Sequence, residues 1–585
     1  MRYRHLLLTL ITIQFYSAVV SANTLTVNNG FYLDSSARFH PVFGELGMVV
    51  SQERIASKVG ADILAAGGNA VDAAVATGFA LAVTLPRAGN IGGGGFMLVY
   101  LAEQQKTLAI DYREMAPAAA YKNMFLTVDG DVDNNKARYS TQSAGVPGTV
   151  AGLIYAQQKY GRLTLSETIK PAINLARHGF EVSPDLSDSL RSRYDRLRKH
   201  PSTKRYFYKS NGSFYMPGDR LLQPDLGATL ARIGAYGVDG FYKGKTASLI
   251  VNQMQKTGGL ITLEDLTNYR VVERQPVCGE YRTVSLCAMP PPSSGGVHLI
   301  QMLNILENWQ LSELPHNSAA HLHLMIEAMR QAYADRSLYL GDPDFVPVPS
   351  IELIGKQYAA QLSALIDSRK ARSSASVYPS LNILDAKLPT ESPETTHFSV
   401  WDNEGNVVSN TYTINFSYGS GIAVEGAGFL LNNEMDDFAS KPGAPNGYGL
   451  VGGAANAIEG FKRPLSSMTP TIVFDAMGAP ILATGSPGGS TIITIVLQMI
   501  INMVDYKMGV AEATAAPRIH HQWLPDTVYY ETGISADTLA VLEQMGHDIH
   551  ANPRVLGSTQ SISREGDRLH GTSDPRRQGG AAAVQ

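Results

Sequence analysis

Thr395-Thr396-His397-Phe398-Ser399-Val400-Trp401, then Asp402-Asn403-Glu404-Gly405-Asn406, then Val407 through Asn415, is the stretch whose reading decides the fold. β-Branched and aromatic residues fill both arms, and the Asp/Asn/Gly segment between them is turn chemistry, so a β-hairpin is predicted. Folded symmetrically about Glu404, it sets Thr395 opposite Thr413, each nine positions from the centre. Cross-strand partners lie roughly 5 Å apart, within reach of hydroxyl–hydroxyl or amine–hydroxyl contact. An ordinary surface hairpin with a Thr–Thr pair has the same spacing.

Upstream, Arg369 to Glu394 is polar and punctuated by Ser373, Ser374, Ser376, Pro379, Ser380, Pro389, Ser392 and Pro393. With little to bury, it reads as an exposed linker ending where the strand begins. That junction suits one chemistry. A threonine hydroxyl is a weak nucleophile until a base takes its proton. A free N-terminal amine on the same residue, with an unperturbed pKa of about 7.7–8.0, is such a base. Within a chain the nitrogen is an amide without basicity, so the chemistry requires cleavage before Thr395.

Downstream, Thr471–Phe474 and Ile481–Thr484 read as a second hairpin. Gly485-Ser486-Pro487-Gly488-Gly489 then leads into an apolar helix, Thr491 to Val504. Glycines before a helix N-terminus let backbone N–H groups approach a developing oxyanion, although a plain strand–helix turn uses the same residues. In the first half, Ile55, Val59, Ile63 and Leu64 recur at helical spacing, Gly67-Gly68-Asn69 breaks the pattern, and a second helical stretch follows from Ala70 to Val83. Gly92–Gly95 precedes a strand, Phe96–Tyr100, rather than a helix, and no Gly-Lys-Ser/Thr follows, which argues against a phosphate cradle. Ser143 to Asp367 reads mainly as helices, one of them from Ser318 to Leu338.

The 585 residues are 44% hydrophobic and 17% charged, an ordinary globular composition, and the net charge of −4 shows no basic stripe for nucleic acid. Arg2, Arg4 and His5 precede the apolar run Leu6–Ile13, and Ala18-Val19-Val20-Ser21-Ala22 supplies small residues for cleavage. This reads as a removable secretory signal, too short to span a bilayer, with a mature periplasmic or secreted protein starting near Asn23. The two cysteines, Cys278 and Cys287, flank a segment able to turn as a hairpin. Either a local disulfide or two unpaired thiols fits, and the spacing without a nearby histidine does not suit zinc.

Several blocks together resemble the gamma-glutamyltranspeptidases (glutathione hydrolases). They are Gly67–Ala74, Asp111–Pro117, Pro290–Gly296, Thr395–Val400, Leu431–Phe438, Arg463–Met468, Gly485–Ser490 and Gly557–Ser561, in order over nearly the whole mature chain. The resemblance implies an α+β fold, the four-layer αββα sandwich of N-terminal nucleophile hydrolases, with two mainly antiparallel sheets. It implies self-cleavage between Glu394 and Thr395 into a large subunit (23–394) and a small one (395–585) that remain an intertwined heterodimer. Thr395 then becomes the nucleophile with its own amine as base, supported by Thr413, and the N–H groups of Gly488 and Gly489 form the oxyanion hole. Arg113, Ser466 and Ser467 are expected to hold the substrate α-carboxylate, and Asn415, Glu434 and Asp437 its α-ammonium. A solvated acidic turn is the plainer use of Glu434 and Asp437.

The implied substrates are glutathione and other gamma-glutamyl compounds, with water, amino acids or dipeptides as acceptors and no metal or organic cofactor. Residue 394 is Glu where relatives vary, and Glu434 stands where other members carry Gln. Lys441–Gly449 resembles a lid loop that some members lack. The rival readings are a cephalosporin (glutaryl) acylase, which shares the nucleophile but needs no grip on an ammonium, and an inactive secreted binding protein on the same scaffold.

Overall fold

The computed structural model describes residues 39–377 and 393–585. The expected signal, residues 1–22, and residues 378–392 of the expected linker lie outside them.

Two seven-stranded sheets, with every neighbouring pair antiparallel, form the centre of the molecule. One runs, edge to edge, Ala581–Val584, Met48–Ser51, Pro393–Trp401, Val407–Phe416, Gly94–Leu101, Lys106–Tyr112 and Val272–Arg274. The other runs Val42–Gly44, Arg568–Ser573, Gln560–Glu565, Pro480–Thr484, Thr471–Phe474, Val284–Ala288 and Val277–Tyr281. Each sheet therefore takes strands from both sides of residue 394.

Alternation along the strands builds the layers, because successive side chains point to opposite faces. Met48, Val50, Phe96, Leu98 and Trp401 meet Ile472, Ala483, Ile562 and Leu569 between the sheets. Val49, Met97, Val99, Phe398 and Val400 face the other way, onto a helical layer that includes Arg54–Ala65 and Ala70–Thr84. Leu286, Val473 and Leu482 similarly pack on a second layer with Gly295–Leu306, Ala319–Tyr339 and Ile492–Val504. The αββα architecture is as expected, as are the helix break at Gly67–Asn69 and both hairpins. Asn69 caps the second helix with a reciprocal bond to Asp72.

Cys278 and Cys287, directly opposite across their hairpin, form a disulfide, settling a choice that spacing left open. The exposed-linker expectation holds for Arg369, Lys370, Ser373, Ala375 and Ser376, which are exposed, but not for Ser374 or Glu394. Ser374 is buried, its N–H donating to Asp526 and its carbonyl accepting from the Trp523 indole, while Arg372 pairs with Glu327. Glu394 is only 4% exposed. Polar composition announces a lack of apolar burial, and these ends are held by ion pairs and hydrogen bonds instead. Among the described residues no helix is long and apolar enough to cross a membrane.

Since both sheets draw strands from either side of residue 394, a chain cut between residues 377 and 393 should remain one particle. Native size-exclusion chromatography should show a single peak that denaturing electrophoresis resolves into two bands.

Candidate active site

The nucleophile hairpin forms in the expected register, with Thr395 paired to Thr413, His397 to Thr411 and Ser399 to Ser409. Its turn is held by Asp402, whose carboxylate accepts from the backbone N–H groups of Glu404 and Asn406 and from the Asn406 amide. The odd-numbered residues of the first arm face the second sheet, so a polar track runs inward from Thr395. His397 Nδ1 lies 2.8 Å from Thr411 Oγ1 and its Nε2 3.1 Å from Ser399 Oγ. Ser399 Oγ in turn donates to the Gln560 carbonyl across the inter-sheet gap. Burial pushes His397 down to about 3. Neutral at pH 7 and bonded at both nitrogens, it braces the hairpin and is poorly placed to act as a general base.

Around Thr395 the hydrogen bonds converge on one hydroxyl. Thr413 Oγ1 receives the Asn415 N–H at 2.8 Å and the Thr395 hydroxyl at 3.4 Å, and donates to the Glu394 carbonyl at 3.0 Å. In the intact chain Thr413 thus touches both the attacking hydroxyl and the carbonyl of the peptide bond before it. A register slip between Pro393 and Thr395, which pair with Phe416 and Thr413, turns that carbonyl toward Thr413.

Thr395, Thr413, Asn415, Arg113, Glu434, Asp437, Ser466, Ser467 and Gly489 line one cavity. Gly488 and Gly489 lie between the strand ending at Thr484 and the helix starting at Ile492, both at positive φ (145° and 57°). A side chain at Gly488 would meet Thr491 Oγ1 at 2.4 Å, so the turn requires glycine there.

Arg113 is wholly buried. Its Nε donates to the Pro464 carbonyl, and its two terminal nitrogens pair with Glu434 and Asp437. Glu114 lies 3.6 Å away, also fully buried. Three carboxyls therefore share one guanidinium. Burial raises all three, pushing Glu114 up to about 7 and Glu434 well above the ordinary range, with Arg113 opposing the rise. Glu434, 1% exposed, is no solvated turn residue. The two expected subsites are already joined, the anionic group occupying the cationic one.

The serines are braced from behind. Ser294 donates through its N–H and Oγ to the Ser466 carbonyl, and the Ser466 N–H donates to Pro292, so the Pro290–Gly296 block supports this loop. Tyr448, from the lid-like loop, bonds through its hydroxyl to the side chain and carbonyl of Asn415 and stacks edge-on against Phe416.

Sequence reasoning missed Arg336 and Glu114. Arg336, on the helix Ala319–Tyr339, lines the same cavity and donates to Ser294 Oγ at 3.0 Å and Ser467 Oγ at 3.2 Å. Burial lowers it to about 10, leaving it charged at neutral pH. The signal available was a basic residue within a helix that buries both faces. Among the described residues no cluster of three or more His, Cys, Asp or Glu is arranged to hold a metal ion.

The gamma-glutamyltranspeptidase family profile matches residues 56–584. The glutathione hydrolase proenzyme of Escherichia coli (strain K12) is 52% identical over 541 residues, covering 92% of each chain. Among solved structures, Helicobacter pylori gamma-glutamyltranspeptidase aligns at 47% identity and TM-score 0.55 over 57% of this chain and 95% of that one. A cephalosporin acylase from Bacillus halodurans aligns at TM-score 0.81 with 26% identity, over 94% of this chain and 97% of that one. With the hairpin, the glycine turn and the charged cavity in place, the chain belongs to the gamma-glutamyltranspeptidase family of N-terminal nucleophile hydrolases.

Proposed function

We propose that this chain is a glutathione hydrolase and gamma-glutamyltransferase that matures by cutting itself between Glu394 and Thr395. The observation that carries this reading is the convergence of Thr395, Thr413 and the Glu394 carbonyl beside a cavity lined by both signs of charge. In maturation the Thr395 hydroxyl adds to the Glu394 carbonyl carbon. The peptide C–N bond breaks with the proton passing to nitrogen, leaving an ester. Water then splits the ester into a Glu394 carboxylate and a Thr395 bearing free amine and hydroxyl. The products are a large subunit, 23–394 once residues 1–22 are removed as a secretory signal, and a small one, 395–585, in a periplasmic or secreted enzyme.

In turnover the freed amine takes the Thr395 hydroxyl proton as oxygen attacks the gamma-amide carbonyl of glutathione, and the proton passes to the departing cysteinylglycine amine. Gly488 and Gly489 donate N–H groups to the oxyanion, a role that their glycine turn before a helix supports, and Thr413 keeps the nucleophile in position. Arg113, with Ser466 and Ser467, receives the α-carboxylate, for which its planar fork of donors is suited. Asn415, Glu434 and Asp437 take the ammonium. A zwitterion thus separates the existing Arg113–carboxylate pairs and supplies each partner with a new counter-charge. Water as the second acceptor gives glutamate, and an amino acid or peptide amine gives transfer.

A glutaryl amide has no ammonium to replace Arg113 as partner of Glu434 and Asp437. Its binding would leave buried carboxylates uncompensated, at a cost of several kcal/mol per ion. This is why a glutathione substrate fits better than a cephalosporin side chain.

Three outcomes test the reading. Wild-type protein should yield two co-purifying chains, the smaller beginning at Thr395 by N-terminal sequencing, while Thr395→Ala stays whole. Asp437→Asn should lower kcat/KM for glutathione about 10²-fold or more, while glutaryl amides, turned over slowly by the wild type, should change little. Because the ammonium binds best to ionised carboxyls, and Glu114 titrates near 7, kcat/KM for glutathione should rise with pH through that region. Glu114→Gln should displace this inflection in the pH profile, because the three buried carboxyls around Arg113 titrate together, and should leave that of the Thr395 amine in place.

A further inference from the structure

Glu394 has a structural role that cleavage before Thr395 does not itself require. Its side chain is only 6% exposed, and a carboxylate at such a place needs compensation. Two arginines supply it. Arg577 Nη2 lies 3.1 Å from Oε1, and Arg87 Nε lies 3.7 Å from Oε2.

Both arginines are themselves anchored. Arg87 follows the helix Ala70–Thr84, is 3% exposed, pairs with Asp185 at 2.9 Å and accepts the Tyr418 N–H at its carbonyl. Arg577 donates its N–H to the Asp574 carbonyl, and Asp574 is in turn held by Arg518 and Arg576. The Glu394 carboxylate is thus gripped by two elements far apart in sequence, one from the first helical layer and one from the turn before the C-terminal strand. Neither arginine lines the cavity that contains Arg113 and Asp437.

The grip acts where the hairpin register slips. With Pro393 opposite Phe416 and Thr395 opposite Thr413, the extra residue lies on the second strand, where Ile414 and Asn415, the latter at a φ of 73°, face the single residue Glu394. A backbone at a slip is less constrained by ladder bonds, yet its carbonyl must stay against Thr413 Oγ1 for the hydroxyl of Thr395 to reach it. We propose that the Arg87–Glu394–Arg577 clamp positions the scissile peptide bond, making Glu394 a positioning residue for self-cleavage with no role in glutathione turnover. The proposal rests on cleavage before Thr395.

Processing of purified precursor can be followed by denaturing electrophoresis after synthesis in a cell-free system, for wild type, Glu394→Gln, Arg577→Gln and the double variant. Each single substitution should slow the appearance of the Thr395 chain about tenfold or more. Because both remove the same interaction, the double variant should be no slower than the slower single one. Glu394→Asp, which keeps the charge, should recover much of the rate. Wild-type speed in Glu394→Gln would overturn the proposal, and so would single effects that multiply in the double variant. Should Glu394→Gln prove insoluble, Arg577→Lys against Arg577→Gln makes the same comparison, with partial recovery expected in the lysine variant and equal rates overturning the clamp. A wild-type chain that is not cut before Thr395 would instead refute the underlying cleavage, a separate result.

Discussion

The structure depends on the register of one hairpin. Because side chains alternate faces with a period of two, a slip of one residue would turn Thr395, His397 and Ser399 from the inter-sheet gap toward the helices. Asp402 prevents this from the turn end, and it also accepts the N–H of Ala70 at the start of the buried helix Ala70–Thr84. The same side chain thus fixes the hairpin and docks the helical layer on it. At the other end the register is deliberately irregular, and there the carbonyl of Glu394 meets Thr413.

The electrostatics of the cavity follow from a different constraint. Arg113, Glu114, Glu434 and Asp437 are all withdrawn from water, and one guanidinium cannot balance three ionised carboxylates. Burial therefore keeps part of the acidic charge protonated until another cation arrives. A substrate carrying both an ammonium and a carboxylate restores the balance, which makes the empty site strained in charge rather than in geometry. Arg336 adds a second positive centre behind Ser467, within electrostatic reach of Asp437.

Much of this could be read in the sequence, for definable reasons. The hairpin register was legible because strand alternation and a strong turn leave one symmetric solution about Glu404. The glycine turn was legible because strand, glycines and apolar helix follow in order. The membership of Arg113, Glu434, Asp437 and the two serines came from recurring blocks rather than from periodicity. What escaped was long-range pairing. Arg336 lies in a helix whose residues are buried nearly all round, so no polar face shows which way it points. The polar stretch after Arg369 has the composition of an exposed linker, yet Arg372, Ser374 and Glu394 are held by partners such as Glu327, Asp526 and Arg577 that no local pattern reveals.

The interleaving of strands across residue 394 has a consequence for the lifetime of the enzyme. As one chain, the molecule reaches its native topology in a unimolecular process, with the covalent link holding Met48–Ser51 and Ala581–Val584 at high effective concentration around the central hairpin. Once cut, the same arrangement belongs to two polypeptides, and an unfolded mature enzyme would have to rebuild two shared sheets by bimolecular encounter. Self-cleavage therefore removes the route by which the fold was made. For such a two-chain particle lifetime is governed by the rate at which it unfolds rather than by repeated refolding, so durability becomes a kinetic quantity.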